Sequence, residues 1–125
     1  MITISVNNQR RQCEAASPLA EQLGSDIVIP CDVSDMDNLD AAFVALKEQW
    51  DSIDYVVHAI GFSDKSELRG KYVDTSLDNF LMTMNISAYS LVAVAKRAAA
   101  MMPPVTEDGK GGGSHSGEYV DARLF

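Results

Sequence analysis

The first secure hydrophobic signal in the chain is a short apolar run at residues 27–29, Ile-Val-Ile. It follows Gly24, a residue typical of helix C-caps, and it ends at Pro30. Such a β-branched run, bounded by turn residues, is typical of a buried strand. We therefore predict a strand here, entered from the end of a helix.

A helix is predicted directly after this strand. Ser34 opens the segment, and Asp35 and Asp37 lie where carboxylates favour the positive end of the helix dipole. The apolar positions step by four, three and four residues and form one stripe of a helix that ends near residue 50; they are Leu39, Phe43, Leu46 and Trp50. The next apolar run, residues 53–60, lacks alternation and is predicted to be a second buried strand. A parallel βαβ unit follows, and with it an α/β fold.

A long helix is predicted between Thr75 or Ser76 and about Met102. Asp78 or Asn79 can complete a capping box at its start, and Pro103-Pro104 stops it because proline supplies no amide donor. Its apolar positions form a wide face, and we expect one side to pack on the sheet and another on a partner; they are Phe80, Met84, Ala88, Leu91, Ala95 and Met102.

The two ends of the chain carry weaker signals. Residues 1–17 have only an alternation at Ile2, Ile4 and Val6 to suggest a strand, which leaves strand and coil equally favoured. Asp108–Gly117 holds five glycines and no apolar side chain, so it is predicted to be disordered. The sequence therefore predicts an N-terminal segment over 1–17, one folded domain over 18–103 and a flexible glycine-rich tail over 104–125.

Composition and charge exclude several classes of protein. The 125 residues have a net charge of -8, which would repel the phosphate backbone of a nucleic acid. No run of 18 apolar residues is present and the first residues lack a signal-peptide pattern, so we expect a soluble, cytoplasmic protein without a membrane partner.

Cys13 and Cys31 lack metal-ligand spacing and are expected to be reduced thiols, and neither His58 nor His115 has a companion ligand. No metal site is predicted.

The candidate chemistry lies just after the two predicted strands. In a doubly wound sheet, ligands bind beyond the carboxyl ends of the strands. There the Asp32 carboxylate can accept from an adenine amino group while the Val33 amide donates to a ring nitrogen. Spacing alone favours a different role for Asp32, as a cap of the following helix. Gly61 allows close approach of a ligand, but an ordinary turn glycine explains it equally well.

Three strings taken together resemble a known family. They are Leu-Ala-Glu-Gln-Leu-Gly-Ser-Asp at 19–26, Pro-Cys-Asp-Val at 30–33 and His-Ala-Ile-Gly-Phe at 58–62. In order and spacing they resemble bacterial enoyl-acyl-carrier-protein reductases, a divergent branch of the short-chain dehydrogenase/reductase family. The similarity continues through Thr-Ser-Leu-Asp-Asn-Phe at 75–80 and Asn-Ile-Ser-Ala-Tyr-Ser at 85–90. It covers residues 18–103 and implies part of a Rossmann-like doubly wound parallel sheet, a βαβα arrangement.

The resemblance also implies a cofactor, a substrate and site residues. The family transfers hydride from NADH, in some members NADPH, to a trans-2-enoyl thioester of the acyl carrier protein in fatty-acid biosynthesis. Asp32 and Val33 would hold the adenine. Ala59, Ile60 and Gly61 would line the cofactor from its adenosine to its nicotinamide side, and Phe62 and Ser63 would face the acyl substrate. The long helix would pack against its copy in a homo-oligomer.

The sequence departs from the family in two respects. No Gly-rich phosphate turn precedes the first secure strand, and the catalytic tyrosine and lysine of the family lie beyond a further strand. Tyr89 and Lys96 share that Tyr-x6-Lys spacing, but their neighbours match the preceding helix of the family, so no catalytic residue is predicted. Gly109–Ser114 resembles a P-loop only in its glycines, because no strand precedes it and no helix pattern follows it.

We expect an internal piece of such an enzyme, inactive by itself. The alternatives are a non-enzymatic interaction module or a truncated product without function that associates through helix 76–102.

Overall fold

The computed structural model describes residues 3–6 and 10–103, with side chains from residue 16 onward. The chain divides into two compact units, with the boundary after Ser52. The predicted disordered segment Asp108–Gly117, the rejected P-loop match and His115 lie outside the described residues. The division into 1–17, 18–103 and 104–125 stays a prediction.

The first unit is a β-α-β-α arrangement. Strand β1 (Thr3–Val6) and strand β2 (Val28–Cys31) pair in parallel, with Thr3 opposite Val28 and Val6 opposite Cys31. Helix α1 (Arg10–Gln22) connects them, and helix α2 (Met36–Lys47) follows β2. The fold is α/β with a parallel sheet, as predicted. The βαβ unit, however, lies earlier in the chain than expected, because its first strand is the weakly patterned segment near the N-terminus.

Helix α1 ends in a Schellman motif. The amide of Ser25 donates to the carbonyl of Ala20 at 2.9 Å, and the amide of Gly24 donates to that of Glu21 at 2.9 Å. Gly24 has a φ of +72°, the left-handed conformation that this motif requires. The predicted C-cap role of Gly24 is confirmed.

Helix α2 begins one residue later than predicted, because Asp35 and not Ser34 is its N-cap. The Asp35 carboxylate accepts from the amides of Asp37 at 3.0 Å and Asn38 at 3.1 Å. The stripe predicted from spacing is buried at Leu39, Phe43 and Leu46, which are at most 6% exposed. The pattern of apolar residues therefore gave the correct inward face, while the helix ends at Lys47, before Trp50.

The predicted strand over residues 53–60 is wrong. Among the described residues, only β1 and β2 form a sheet, and the backbone hydrogen bond from this segment runs from the Ile53 amide to the Met101 carbonyl at 3.1 Å. Ile53 is buried, whereas Tyr55 and Val57 are 59% and 78% exposed. A strand needs a neighbour that pairs with its amides and carbonyls, and an apolar run alone does not supply one.

The second unit is built around one long helical segment. It comprises helix α3 (Leu77–Met84), a π-helical turn (Asn85–Tyr89) and helix α4 (Ser90–Ala99), preceded by a short 3₁₀ turn (Tyr72–Asp74). The predicted helix is confirmed in position, but the widened turn at its centre was not predicted. Its buried face also differs from the predicted one: Phe80 and Met84 are more than 40% exposed. The buried apolar residues are Ala93, Val94, Ala95, Ala98 and Met101.

Ser76 caps helix α3, as predicted, but its capping partner comes from upstream. The Ser76 hydroxyl accepts from the Asn79 amide at 3.1 Å. Its own amide and hydroxyl donate to the Glu67 carboxylate at 2.9 and 2.8 Å. The bond from the Ser76 amide, followed by that from its hydroxyl, lowers the pKa of the Glu67 carboxyl. Glu67 therefore takes the place that the capping-box prediction gave to Asp78 or Asn79.

Candidate functional site

The first group of candidate residues lies at the carboxyl end of β2. Cys31 and Val33 are buried, at 2% and 1% exposure, and Asp32 between them is half-buried. One oxygen of Asp32, Oδ1, accepts from the amide of Ser34 at 2.9 Å and from its hydroxyl at 2.6 Å. The Asp32 amide donates to Asn38 Oδ1 at 2.8 Å. These bonds fix the carboxylate beside the start of helix α2.

Asp32 was a candidate both for capping helix α2 and for binding adenine. Asp32 does not cap the helix, because Asp35 is the N-cap. Within the described part of the chain, Asp32 Oδ2 and the Val33 amide have no hydrogen-bond partner. An acceptor and a donor on neighbouring residues match the amino group and the ring nitrogen at the edge of adenine. The residues present therefore fit an adenine.

The second group, residues 58–63, belongs to the second unit. Ala59 and Gly61 are exposed, and His58, Ile60 and Ser63 are half-buried. A Cβ added at Gly61 would lie 3.8 Å from Ser87 Oγ, an ordinary contact, and Gly61 has no positive φ. The glycine therefore leaves open surface beside the chain and is not required by a turn.

Four polar side chains of the long helical segment hold this group in place. We call them the polar stripe: Asn79, Thr83, Ser87 and Ser90. Apolar periodicity does not reveal them as a group, because all four side chains are polar. Their spacing of four, four and three residues is itself the signal of one helical face.

The polar stripe contacts both the backbone and the side chains of the segment. The Ser87 hydroxyl accepts from the Phe62 amide at 3.1 Å and donates to the Phe62 carbonyl at 3.2 Å. The Thr83 hydroxyl donates to Ser63 Oγ at 2.9 Å. The Ser63 hydroxyl is thereby engaged within the chain, whereas the Phe62 side chain is 39% exposed. Of the two residues expected to face the acyl substrate, Phe62 has the more available side chain.

His58 is fixed by the last member of the stripe. Its Nε2 lies 2.8 Å from the hydroxyl of Ser90, which is fully buried. The single proton of that hydroxyl goes to the Ile86 carbonyl at 2.5 Å, so Nε2 must carry a hydrogen and donate. Burial lowers the pKa of the His58 imidazole, partly offset by a hydrogen bond with its own backbone. Partial burial therefore favours the neutral form of the ring.

Tyr89 and Lys96 show none of the features of a catalytic pair. Tyr89 is the last residue of the π-helical turn and is 53% exposed, and Lys96 is exposed on α4. Neither side chain forms a hydrogen bond with another described residue.

Two kinds of feature are absent from the described residues. They contain no group of three or more His, Cys, Asp or Glu residues placed to hold a metal ion. They also contain no helix that is both long and apolar enough to span a membrane.

Curated relatives match about two thirds of the chain. Enoyl-acyl-carrier-protein reductases 1 and 2 of Rhizobium meliloti, whose names specify NADH, are 58% and 55% identical to it over 85 residues. Each alignment covers 68% of this chain but only 31% and 32% of the respective relative. The chain thus spans about a third of their length.

Solved structures of enoyl-acyl-carrier-protein reductases are similar to this chain in both sequence and fold. The enoyl-acyl-carrier-protein reductase of Anaplasma phagocytophilum, solved in complex with NAD, is 47% identical, with a TM-score of 0.71. The match covers 78% of this chain and 37% of that one. The FabI protein of Candidatus Liberibacter asiaticus is 42% identical, with a TM-score of 0.74 over 82% of this chain and 38% of its own.

The family model described as enoyl-(acyl carrier protein) reductase matches residues 2–111. Every residue of both candidate groups and of the polar stripe lies within that range. The match begins well before the first of the three strings, at 19–26, and so includes β1 and α1. The chain belongs to the enoyl-(acyl carrier protein) reductase family.

Proposed function

We propose that this chain supplies part of the cofactor site and one wall of the acyl slot of a cytoplasmic enoyl-acyl-carrier-protein reductase. The observation that carries the proposal is the family match over residues 2–111, which includes all of the candidate residues. NADH, when bound, supplies the hydride that reduces a trans-2-enoyl thioester of the acyl carrier protein. NADPH is the cofactor in some members of the family.

In the first unit, Asp32 and Val33 take the adenine. Asp32 Oδ2 accepts from the exocyclic amino group, and the Val33 amide donates to the adjacent ring nitrogen. The bonds from Ser34 hold the carboxylate in its orientation before a ligand arrives. Preorganisation of this kind improves affinity because less side-chain freedom is lost on binding.

In the second unit, Ala59, Ile60 and Gly61 line the cofactor, and Phe62 and Ser63 form the acyl wall. Exposure of Ala59 and Gly61 leaves their backbone open to a flat ligand. Phe62 offers an apolar ring to the acyl chain. Ser63 contributes through its backbone, since its hydroxyl is bound to Thr83.

This chain alone is not expected to catalyse turnover. The resemblance assigns proton transfer and enolate stabilisation to a tyrosine and a lysine that follow a further strand, and the described residues contain no such strand. Tyr89 and Lys96 are exposed and form no bond with each other, which argues against their use as substitutes.

The purified chain should therefore not oxidise NADH in the presence of a crotonyl or longer enoyl thioester. Loss of NADH absorbance should equal that of a blank without protein, and the variants Tyr89→Phe and Lys96→Ala should behave identically. A full-length family enzyme serves as the positive control. Turnover that disappears in either variant would show that Tyr89 and Lys96 form a working catalytic pair.

A second candidate function, an interaction module, is favoured by one observation on helix α3. Leu77, Leu81 and Met84 are spaced as i, i+4 and i+7, so they share one face, and they are 69%, 56% and 43% exposed. Exposed apolar surface of this kind is characteristic of contact with a partner. The proposed partner is a second copy of the chain.

A further inference from the structure

The polar stripe has a property that ordinary polar residues on a helix lack. Hydroxyl groups on helices usually bond to a carbonyl of their own helix or to water. Here each of the four side chains forms a bond with the segment from His58 to Asp64, and the order of the partners follows the helix in the opposite direction. Asn79 at one end reaches Asp64, and Ser90 at the other end reaches His58.

Asn79 and Thr83 fix the end of the segment that leads into the loop. Asn79 Oδ1 accepts from the Asp64 amide at 3.0 Å, and Asn79 is only 7% exposed. Thr83 Oγ1 donates to Ser63 Oγ at 2.9 Å. Both the backbone and the side chain at this end are therefore bound to the same helical face.

Ser87 acts on the middle of the segment in place of a neighbouring strand. In a sheet, the amide and carbonyl of a residue pair with an adjacent strand. At Phe62 one hydroxyl group satisfies both, by accepting at 3.1 Å and donating at 3.2 Å. Ser87 lies inside the π-helical turn, a feature often found at functional sites.

Ser90 fixes the beginning of the segment through a side chain. Because its proton is committed to the Ile86 carbonyl, it can only accept from His58 Nε2. The bond thus selects one tautomer and one orientation of the imidazole. The backbone that follows His58 is the proposed cofactor-lining sequence Ala59–Gly61.

We infer that Asn79, Thr83, Ser87 and Ser90 are positioning residues, which set the backbone conformation of residues 58–64 and so hold Ala59, Ile60, Gly61 and Phe62 ready for the ligand. The role toward the ligand rests on the proposed function. The control of the backbone conformation does not, since it follows from the contacts alone.

Amide hydrogen exchange of the full chain separates these two statements. In Ser87→Ala, the Phe62 amide should exchange roughly five-fold faster or more, because its acceptor is gone, while the Asp64 amide keeps its protection. In Asn79→Leu the pattern should reverse. Ser87→Thr retains the hydroxyl and should restore protection of Phe62. Ser52→Ala, which removes an exposed serine outside the helices, is the matched control.

An effect on helix stability alone would have the opposite sign, because alanine is a better helix former than serine. Thr83→Val and Thr83→Ser add an isosteric comparison: only the valine variant should loosen the backbone at Ser63. If the Phe62 amide exchanges at the same rate in Ser87→Ala as in the unchanged chain, the positioning role is wrong.

NADH titration of the same variants tests the role toward the ligand. Affinity should fall in Ser87→Ala and recover in Ser87→Thr. Faster exchange with unchanged affinity would contradict positioning of the site. If the unchanged chain binds no NADH but exchange at Phe62 still responds to Ser87, the proposed function fails while control of the backbone by the polar stripe stands.

Discussion

Gly24 shows how one residue without a side chain determines where a helix ends. Its φ of +72° is costly for any residue with a Cβ, yet among the described residues no atom beyond Gly24 and its chain neighbours lies within 4 Å of the position that a Cβ would occupy. The cost of a substitution is therefore a property of the backbone alone.

Gly24→Ala should accordingly lower the free energy of unfolding by about 1 kcal/mol. Gly61→Ala is the control, because Gly61 has no positive φ and the new Cβ would lie at an ordinary 3.8 Å from Ser87 Oγ. Urea unfolding of both variants measures the difference. Equal effects would mean that the Schellman motif does not form in solution.

His58 links the stability of the second unit to pH. Its folded pKa lies below the ordinary value of 6.5, chiefly because burial disfavours the imidazolium. The unfolded chain then binds a proton more readily than the folded chain as pH falls. Stability should be complete above pH 6.5 and decrease as pH falls below it through the folded pKa.

Unfolding measured on either side of pH 6.5 should show this loss, and His58→Gln should reduce it. The ring titration can be followed by NMR in a His115→Gln variant, which leaves His58 as the one remaining histidine. A His58 pKa at or above the ordinary value would contradict a pKa lowered by partial burial of the ring.

At the scale of elements, predictions from sequence succeeded where burial produces a local repeat. The inward stripe of α2 follows from the spacing of Leu39, Phe43 and Leu46, because a helix buries residues at fixed intervals. The strand predicted over 53–60 failed since pairing depends on a neighbour, which no local pattern specifies. Strand β1 is the opposite case, a segment whose pattern was too weak to decide.

The candidate site was predictable only where a motif carried it. The group at Asp32 follows from the end of β2 and from the family resemblance, whereas the group at residues 58–63 follows from the resemblance alone, since the strand predicted before it is absent from the described residues. The polar stripe could have been found from its helical spacing, but not the residues that it binds. The π-helical turn gives no recognised local signal, since it results from one extra residue accommodated within a helix.

The exposed face of α3 leads to a prediction about association. Leu77, Leu81 and Met84 give the chain an apolar surface, so we expect dimers or larger species at micromolar concentration. Ala95, which the predicted packing face included, is only 9% exposed and contributes little to such a contact.

Light scattering of Leu81→Lys tests this surface against a closely matched control. Leu23 on the loop after α1 is 58% exposed, nearly the same as Leu81 at 56%, so Leu23→Lys introduces the same charge at equal exposure. Leu81→Lys should shift the population toward monomer and Leu23→Lys should not. A monomer in the unchanged chain would contradict the interaction module.

For the molecule as a whole, family membership and activity are separate questions. The family model matches residues 2–111, but the chain spans 31% and 32% of the length of the two Rhizobium meliloti relatives. Binding of a ligand by this chain alone therefore requires that its own residues form the contacts with that ligand. Asp32 and Val33 meet this requirement for adenine, because the two proposed contacts come from adjacent residues of this chain.

Calorimetric titration of the full chain with NADH, compared with Asp32→Ala, is the most direct measurement of the proposed cofactor role. We expect binding by the unchanged chain and a loss of affinity of roughly ten-fold in Asp32→Ala, as for removal of a charged hydrogen-bond acceptor. Asp51→Ala, which removes an exposed carboxylate after α2, should bind as the unchanged chain does. No binding, or equal binding by all three proteins, would contradict adenine recognition by Asp32 and Val33.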